Sequence, residues 1–172
     1  MLSMLLVITS LVAQTSASGT LRFKAPTEWT VQSTTSSMRV AQYRLPKIAG
    51  DPEDGELVVY FFGGTGGSVD ANIERWIGQM QQPDGKVSKD VARRSERKVN
   101  GLDVTLLDVS GTYTAEVRPG SAERHNKPGY RMRTAVVTTP KGPYFVKAVG
   151  PAKTVERWNK AFEGFIDSMS FQ

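Results

Sequence analysis

Residues 56–62, Glu56-Leu57-Val58-Val59-Tyr60-Phe61-Phe62, carry an almost unbroken run of aliphatic, β-branched and aromatic side chains. Such a run lacks the alternation of a half-solvated strand, so it predicts a strand at the centre of a sheet, buried on both faces. Gly63-Gly64-Thr65-Gly66-Gly67 follows at once, and then a helix. Ser68 is the expected N-cap, and Asp70 and Glu74 stand in early turns where the helix dipole favours acids. Val69, Ile73, Trp76, Ile77 and Met80 form one apolar stripe that must pack on the sheet, and Pro83-Asp84-Gly85 ends the helix.

Leu21–Lys24 and Met38–Leu45 are expected strands, stopped by Pro26 and Pro46, and 50–55 is dense in turn formers. Asn100-Gly101 predicts a type I′ hairpin between arms 94–99 and 102–109, because both residues tolerate positive φ. A second hairpin joins 130–139 to 144–150 through Pro140-Lys141-Gly142-Pro143, and 113–129 between the hairpins reads as a long surface loop. Pro151 is expected as the first residue of a closing amphipathic helix that buries Val155, Trp158, Phe162, Phe165, Ile166 and Met169. The pattern is α+β: an antiparallel or mixed sheet with helices packed on it.

Two global features bound the setting. Met1–Ala13 is almost wholly apolar and uncharged, then turns small and polar, with Thr15 and Ala17 where a signal peptidase needs small residues. The segment predicts a signal peptide over residues 1–17, export to the periplasm or beyond, and a single domain over 18–172. The apolar run is shorter than the ~20 residues of a membrane span, so the mature chain is expected to have none. The chain has no cysteine, which excludes disulfides, a lipid-bearing cysteine and thiol chemistry. A formal net charge of +5 favours anionic neighbours. For an exported domain these are lipid headgroups, cell-wall polymer or acidic protein rather than nucleic acid; solubility alone is an equally good reading of a charge this size.

Phe23-x-x-Pro26-x-x-Trp29, the mid-chain helix, and a terminal helix ending Phe165-x-x-Ser168-x-x-Phe171 resemble the PsbP-like fold. That fold is shared by the photosystem II extrinsic protein P, a Ran-binding nuclear import factor and many exported bacterial domains. Met38-Arg39-Val40-Ala41, Tyr60-Phe61-Phe62-Gly63 and Gly66 through Trp76 resemble uncharacterised exported bacterial proteins of this type. The resemblance implies an α/β/α sandwich and an accessory or binding role.

Chemistry-bearing motifs are sparse. His125 is the only histidine, in a polar stretch that reads as solvated loop, so neither a Ser-His-Asp triad nor a histidine-rich metal site has its parts. Asp51, Glu53, Asp54 and Glu56 miss the EF-hand spacing and read as an acidic turn; no cofactor or metal is expected. Arg93, Arg94, Arg97 and Lys98, together with Arg118, Arg124, Lys127, Arg131 and Arg133, would form a basic patch if they shared a face, or else a solvated strand edge. The expected binding site is the turn Gly63, Gly64, Thr65, Gly66, Gly67 with Asn72 and Arg75, since so many glycines are costly to order and must serve either a ligand or close packing. The function expected is therefore an exported, non-catalytic accessory or binding domain. The rival is a hydrolase using paired carboxylates, whose approach no sequence displays.

Overall fold

The computed structural model describes residues 19–34, 36–64 and 66–172; the expected signal peptide lies outside them. The elements in chain order are β1 (Leu21–Arg22), β2 (Thr30–Val31), β3 (Arg39–Leu45), β4 (Gly55–Phe61), α1 (Val69–Ile77), β5 (Met80–Gln81), α2 (Ser88–Val91), β6 (Arg93–Val99), β7 (Leu102–Tyr113), β8 (Lys127–Thr139), β9 (Gly142–Pro151), α3 (Ala152–Arg157), α4 (Asn159–Asp167) and β10 (Ser170–Phe171). The fold is α+β. Its eight-stranded sheet is antiparallel throughout and runs β2-β3-β4-β9-β8-β7, with β5 and β6 both along the outer edge of β7. β1 and β10 make a separate two-stranded ladder, Leu21 opposite Phe171.

β4 lies between β3 and β9, as its apolar run requires, with Leu57, Val58 and Val59 buried. Alternation along the strands sends side chains into two cores. On one face, Leu57, Val59, Val104, Ala135, Val137 and Val146 pack with Phe162, Phe165 and Ile166 of α4. On the other, Leu107, Val109, Met132, Val136 and Phe145 pack with Ile73, Trp76 and Ile77 of α1. The sheet is thus covered by helices on both sides.

Both hairpins form where the turn chemistry places them. Asn100 and Gly101 adopt φ of 48° and 84°, and Val99 pairs with Leu102. Thr139 pairs with Gly142 across a two-residue Pro140-Lys141 turn. Ser68 caps α1, its hydroxyl accepting from the Ala71 N–H at 3.1 Å.

Two helix expectations need correction. α1 ends at Ile77 with Gly78 as its C-cap, so Met80 is not helical; it is buried instead on β5, opposite Tyr113. The closing helix is two, α3 and α4, broken at Trp158, whose indole N–H donates to the Pro46 carbonyl at 2.9 Å. That tertiary anchor interrupts a pattern whose apolar spacing continues across it. Pro151, expected as the first helical residue, instead ends β9 and stands at the N-cap of α3, and Met169, expected on the same helix, lies buried beyond the end of α4. Among the described residues, no helix is long and apolar enough to cross a membrane.

Candidate functional site

α1 is only nine residues long and leaves part of its sheet face open. Beyond its C-terminal end lies a cleft of about 590 Å³, within the range of small-molecule sites. Its floor is the sheet: period-2 alternation points Glu56, Val58 and Tyr60 of β4, and Phe145, Lys147 and Val149 of β9, to this side. Arg75, Trp76 and Gln79 form one wall and the 114–126 segment the other.

That segment is more ordered than a solvated loop. Glu116 and Arg124 form a β-bridge, the His125 N–H donates to the Ala115 carbonyl at 2.9 Å, and Thr114 and Ala115 are buried. His125 stacks on Tyr113, ring centroids 5.3 Å apart and 22° from parallel. The expectation of a solvated histidine is corrected accordingly: a polar sequence neighbourhood did not show the aromatic ring that Tyr113 supplies from β7.

Lys147 is the side chain that sequence reasoning missed. It sits mid-strand on β9, in register with Val58 on β4 and Thr134 on β8. Its Nζ donates to Gln79 Oε1 at 2.6 Å and to the Tyr113 hydroxyl at 3.0 Å. The Gln79 backbone is pinned by Thr114, whose N–H donates to the Gln79 carbonyl at 2.8 Å, which sets the amide over the amine. Burial pushes the Lys147 amine down to about 8, and the Arg75 charge adds to the effect while Glu56 opposes it. Burial likewise raises the Tyr113 phenol to about 12. A signal was present: Lys147 is the one charge in the apolar stretch Tyr144-Phe145-Val146-Lys147-Ala148-Val149.

The cleft's charges divide into two classes. Arg39 lies 3.8 Å from Glu56, and Arg124 lies 3.7 Å from Glu116. Arg75 donates instead to a neutral acceptor, Asn72 Oδ1, at 2.6 Å. Among the described residues, neither Arg75 nor Lys147 has a carboxylate within ion-pairing distance. The two carboxylates of the cleft are both engaged, Glu56 accepting from Gln42 Nε2 at 2.5 Å and Glu116 from the Gly120 N–H at 2.8 Å.

The glycine turn stands at the other end of α1. Gly63, Gly64 and Gly67 take φ of 62°, 87° and 84°, and a Cβ on Gly66 would fall 2.3 Å from the Phe145 ring. Gly64 lies against Gly142, the first residue of β9. Asn72 is buried and links the parts: its Nδ2 donates to the Gly66 and Ser68 carbonyls at 2.8 and 2.9 Å while its Oδ1 holds Arg75. Of the expected site residues, the structure joins Gly66 to Asn72 and Asn72 to Arg75, and only Arg75 lines the cleft. Thr65 lies outside the described residues.

Two solved bacterial structures share the fold. PA94 of Pseudomonas aeruginosa, a protein of unknown function, is 10% identical over 83% of this chain and 96% of its own, with a TM-score of 0.53. LpqN of Mycobacterium tuberculosis, described as involved in cell envelope biogenesis, is 12% identical over 93% of this chain and 87% of its own, with a TM-score of 0.54. At such identity the likeness concerns the fold alone. No family model and no curated protein matches the sequence.

The other expected features disperse. Asp51 accepts from the Thr154 hydroxyl and Asp54 from the Lys47 N–H, at 2.6 and 2.8 Å, while Glu53 binds Lys127 and the Tyr130 hydroxyl. Among the described residues, no three acidic or histidine side chains gather as a metal site. The basic clusters are largely ion-paired: Arg94 with Asp70 and Glu96, Arg97 with Glu163 and Asp167, Lys98 with Asp103, Arg131 with Asp108, and Arg133 with Glu163.

Proposed function

We propose that the protein is an exported accessory domain that binds an anionic ligand in the cleft, held by Arg75 and Lys147. The observation that carries the reading is the pairing state of these two residues. Buried or cleft-bound cations are normally matched by carboxylates, whereas these two are oriented by an amide and a phenol and left with unmatched charge. The guanidinium keeps free donors in a fork suited to carboxylate or phosphate, and the amine keeps one of its three.

A non-catalytic role accords with the engaged state of Glu56 and Glu116, and the α/β/α layering accords with the PsbP-like resemblance. Export rests on the character of residues 1–17, and an envelope setting accords with what is said of LpqN. Acidic cell-wall fragments and anionic lipid headgroups present the required chemistry there. The Gly63–Gly67 turn would act through Asn72, by keeping Arg75 in place.

Calorimetric titration with inorganic phosphate, acidic cell-wall fragments and phosphatidylglycerol vesicles tests the reading. Wild-type protein should bind at least one of these, with affinity falling as salt rises, and Arg75→Gln and Lys147→Met should each weaken binding about tenfold or more while remaining folded, as loss of a charge-assisted hydrogen bond implies. Binding unchanged in both variants would refute the site. Turnover of a cell-wall fragment, abolished by Glu56→Gln or Glu116→Gln, would favour the hydrolase instead.

A further inference from the structure

We infer that Lys147 is a nucleophilic amine that condenses with the carbonyl group of a small oxo-carboxylate, while Arg75 takes the carboxylate. The inference rests on the anion-binding reading of the cleft and goes beyond it, from binding to covalent capture.

Three observations lead there. First, Lys147 stands on the floor of an accessible cleft, in a strand whose register neighbours, Val58 and Thr134, carry no charge. The Thr134 hydroxyl, at the paired position on β8, is fully buried and has no hydrogen-bond partner among the described residues. Second, both acceptors that orient Nζ, Gln79 Oε1 and the Tyr113 hydroxyl, are neutral. Neither stabilises the ammonium form as a carboxylate would. Third, the nearby Arg75 guanidinium opposes a second positive charge. Desolvation and a neighbouring cation are the two means by which proteins make a lysine reactive toward carbonyls. Both act here.

The chemistry balances without an oxidant or reductant. The lone pair of the neutral amine adds to the carbonyl carbon, forming the C–N bond as the C=O π bond opens. The nitrogen proton passes to the new oxygen, for which the Tyr113 hydroxyl, 3.0 Å from Nζ, is the adjacent relay. The hydroxyl then leaves as water, taking the remaining N–H proton, as the nitrogen lone pair closes the C=N bond of the imine. Tyr113 accepts one proton as it gives up another, so it ends the transfer as the phenol, the form that burial favours by holding it near 12.

The groups facing Lys147 are not all of one sign. Glu56 and Tyr60 face it from β4, Tyr113 from β7 and Arg75 from α1. Arg39, His125 and the Glu116–Arg124 pair complete the surroundings. Glu56 favours the ammonium form and is outweighed by burial and Arg75.

The test is reductive trapping. Wild-type protein is incubated at pH 8 with glyoxylate and cyanoborohydride, and the modified lysines are located by peptide mapping. With its amine at about 8, Lys147 has roughly a hundredfold larger neutral fraction there than an ordinary lysine, so it should label at least about tenfold faster than exposed Lys153 or Lys160. Lys147→Arg should remove that product. Arg75→Gln should slow labelling by glyoxylate more than by uncharged acetaldehyde, which has no carboxylate to hold and meets only the more protonated amine that loss of the Arg75 charge leaves. Labelling of wild-type Lys147 at the rate of the exposed lysines overturns the inference, and because it is read on the unmutated chain it does not depend on any variant folding. Equal effects of Arg75→Gln on both aldehydes would remove the carboxylate role. Phosphate binding that needs Arg75 and Lys147, without preferential labelling, would leave the anion site standing and refute carbonyl capture alone.

Discussion

Replacing Lys147 by methionine keeps the stem of the side chain and removes its charge, so the structure assigns the change a sign and a pH dependence. The amine falls from 10.5 to about 8 on folding. Between those values the unfolded chain binds more protons than the folded one, so wild-type stability rises with pH across the window; below pH 8 the penalty is fully present. A shift of that size corresponds to about 3 kcal/mol, an upper figure because the side chain lines a cleft that admits water. Two hydrogen bonds are lost in exchange, at about 1 kcal/mol each, from acceptors that water can reach. Lys147→Met should therefore be more stable than wild type at pH 7 by about 1 kcal/mol, and the advantage should disappear, or reverse, by pH 10.5. Urea unfolding of both proteins at pH 7, 9 and 10.5 measures this directly. A variant less stable at pH 7, with a difference that does not change with pH, would show that the amine is not held against its charge and would refute the reasoning.

Trp76 and Phe162 are each 3% exposed, in the cores on opposite faces of the sheet, and truncation of either to alanine should cost about 3 to 5 kcal/mol by chemical denaturation. Gly66→Ala places its Cβ 2.3 Å from Phe145 and should lower stability by about 1 to 3 kcal/mol, whereas Gly85→Ala meets open space and should cost only the strain of its φ of 75°, about 1 kcal/mol; thermal unfolding compares the two. The hydrogen bonds from Lys127 and Tyr130 hold the Glu53 carboxyl below its usual range, so the wild type should exceed Glu53→Gln in stability above about pH 4.5 by no more than about 1 kcal/mol, and the gap should close as pH falls through the lowered value. Denaturation at pH 6 and pH 3 reads it.

What was legible in the sequence is what local chemistry decides. The β4 run, the Ser68 cap and the Asn100-Gly101 turn each carry their instruction within a few residues, and each forms as expected. The breaks at Ile77 and Trp158 were hidden because partners distant in sequence make them: β7 draws Met80 into a ladder, and the Pro46 carbonyl claims the Trp158 indole. The cleft was hidden for the same reason. Its residues come from β3, β4, α1, β7, the 114–126 segment and β9, and none of them forms a motif with its neighbours. Arg75 was reached only as an adjunct to the glycine turn, through Asn72. Lys147 could have been found by asking why a charge interrupts a central strand.

The place of β4 in the sheet also governs the order in which the chain can complete itself. Its outer partner, β3, is close in sequence, but its inner partner is β9: Glu56 meets Val149, and Phe61 meets Tyr144. During synthesis, the most apolar strand of the protein therefore waits with one bare edge until the last third of the chain emerges. A flat, β-branched edge of that kind is a template for pairing with another copy. The finished sheet covers it entirely, so the interval of greatest risk of aggregation belongs to the growing chain, and its length is set by how far along the sequence β9 was placed.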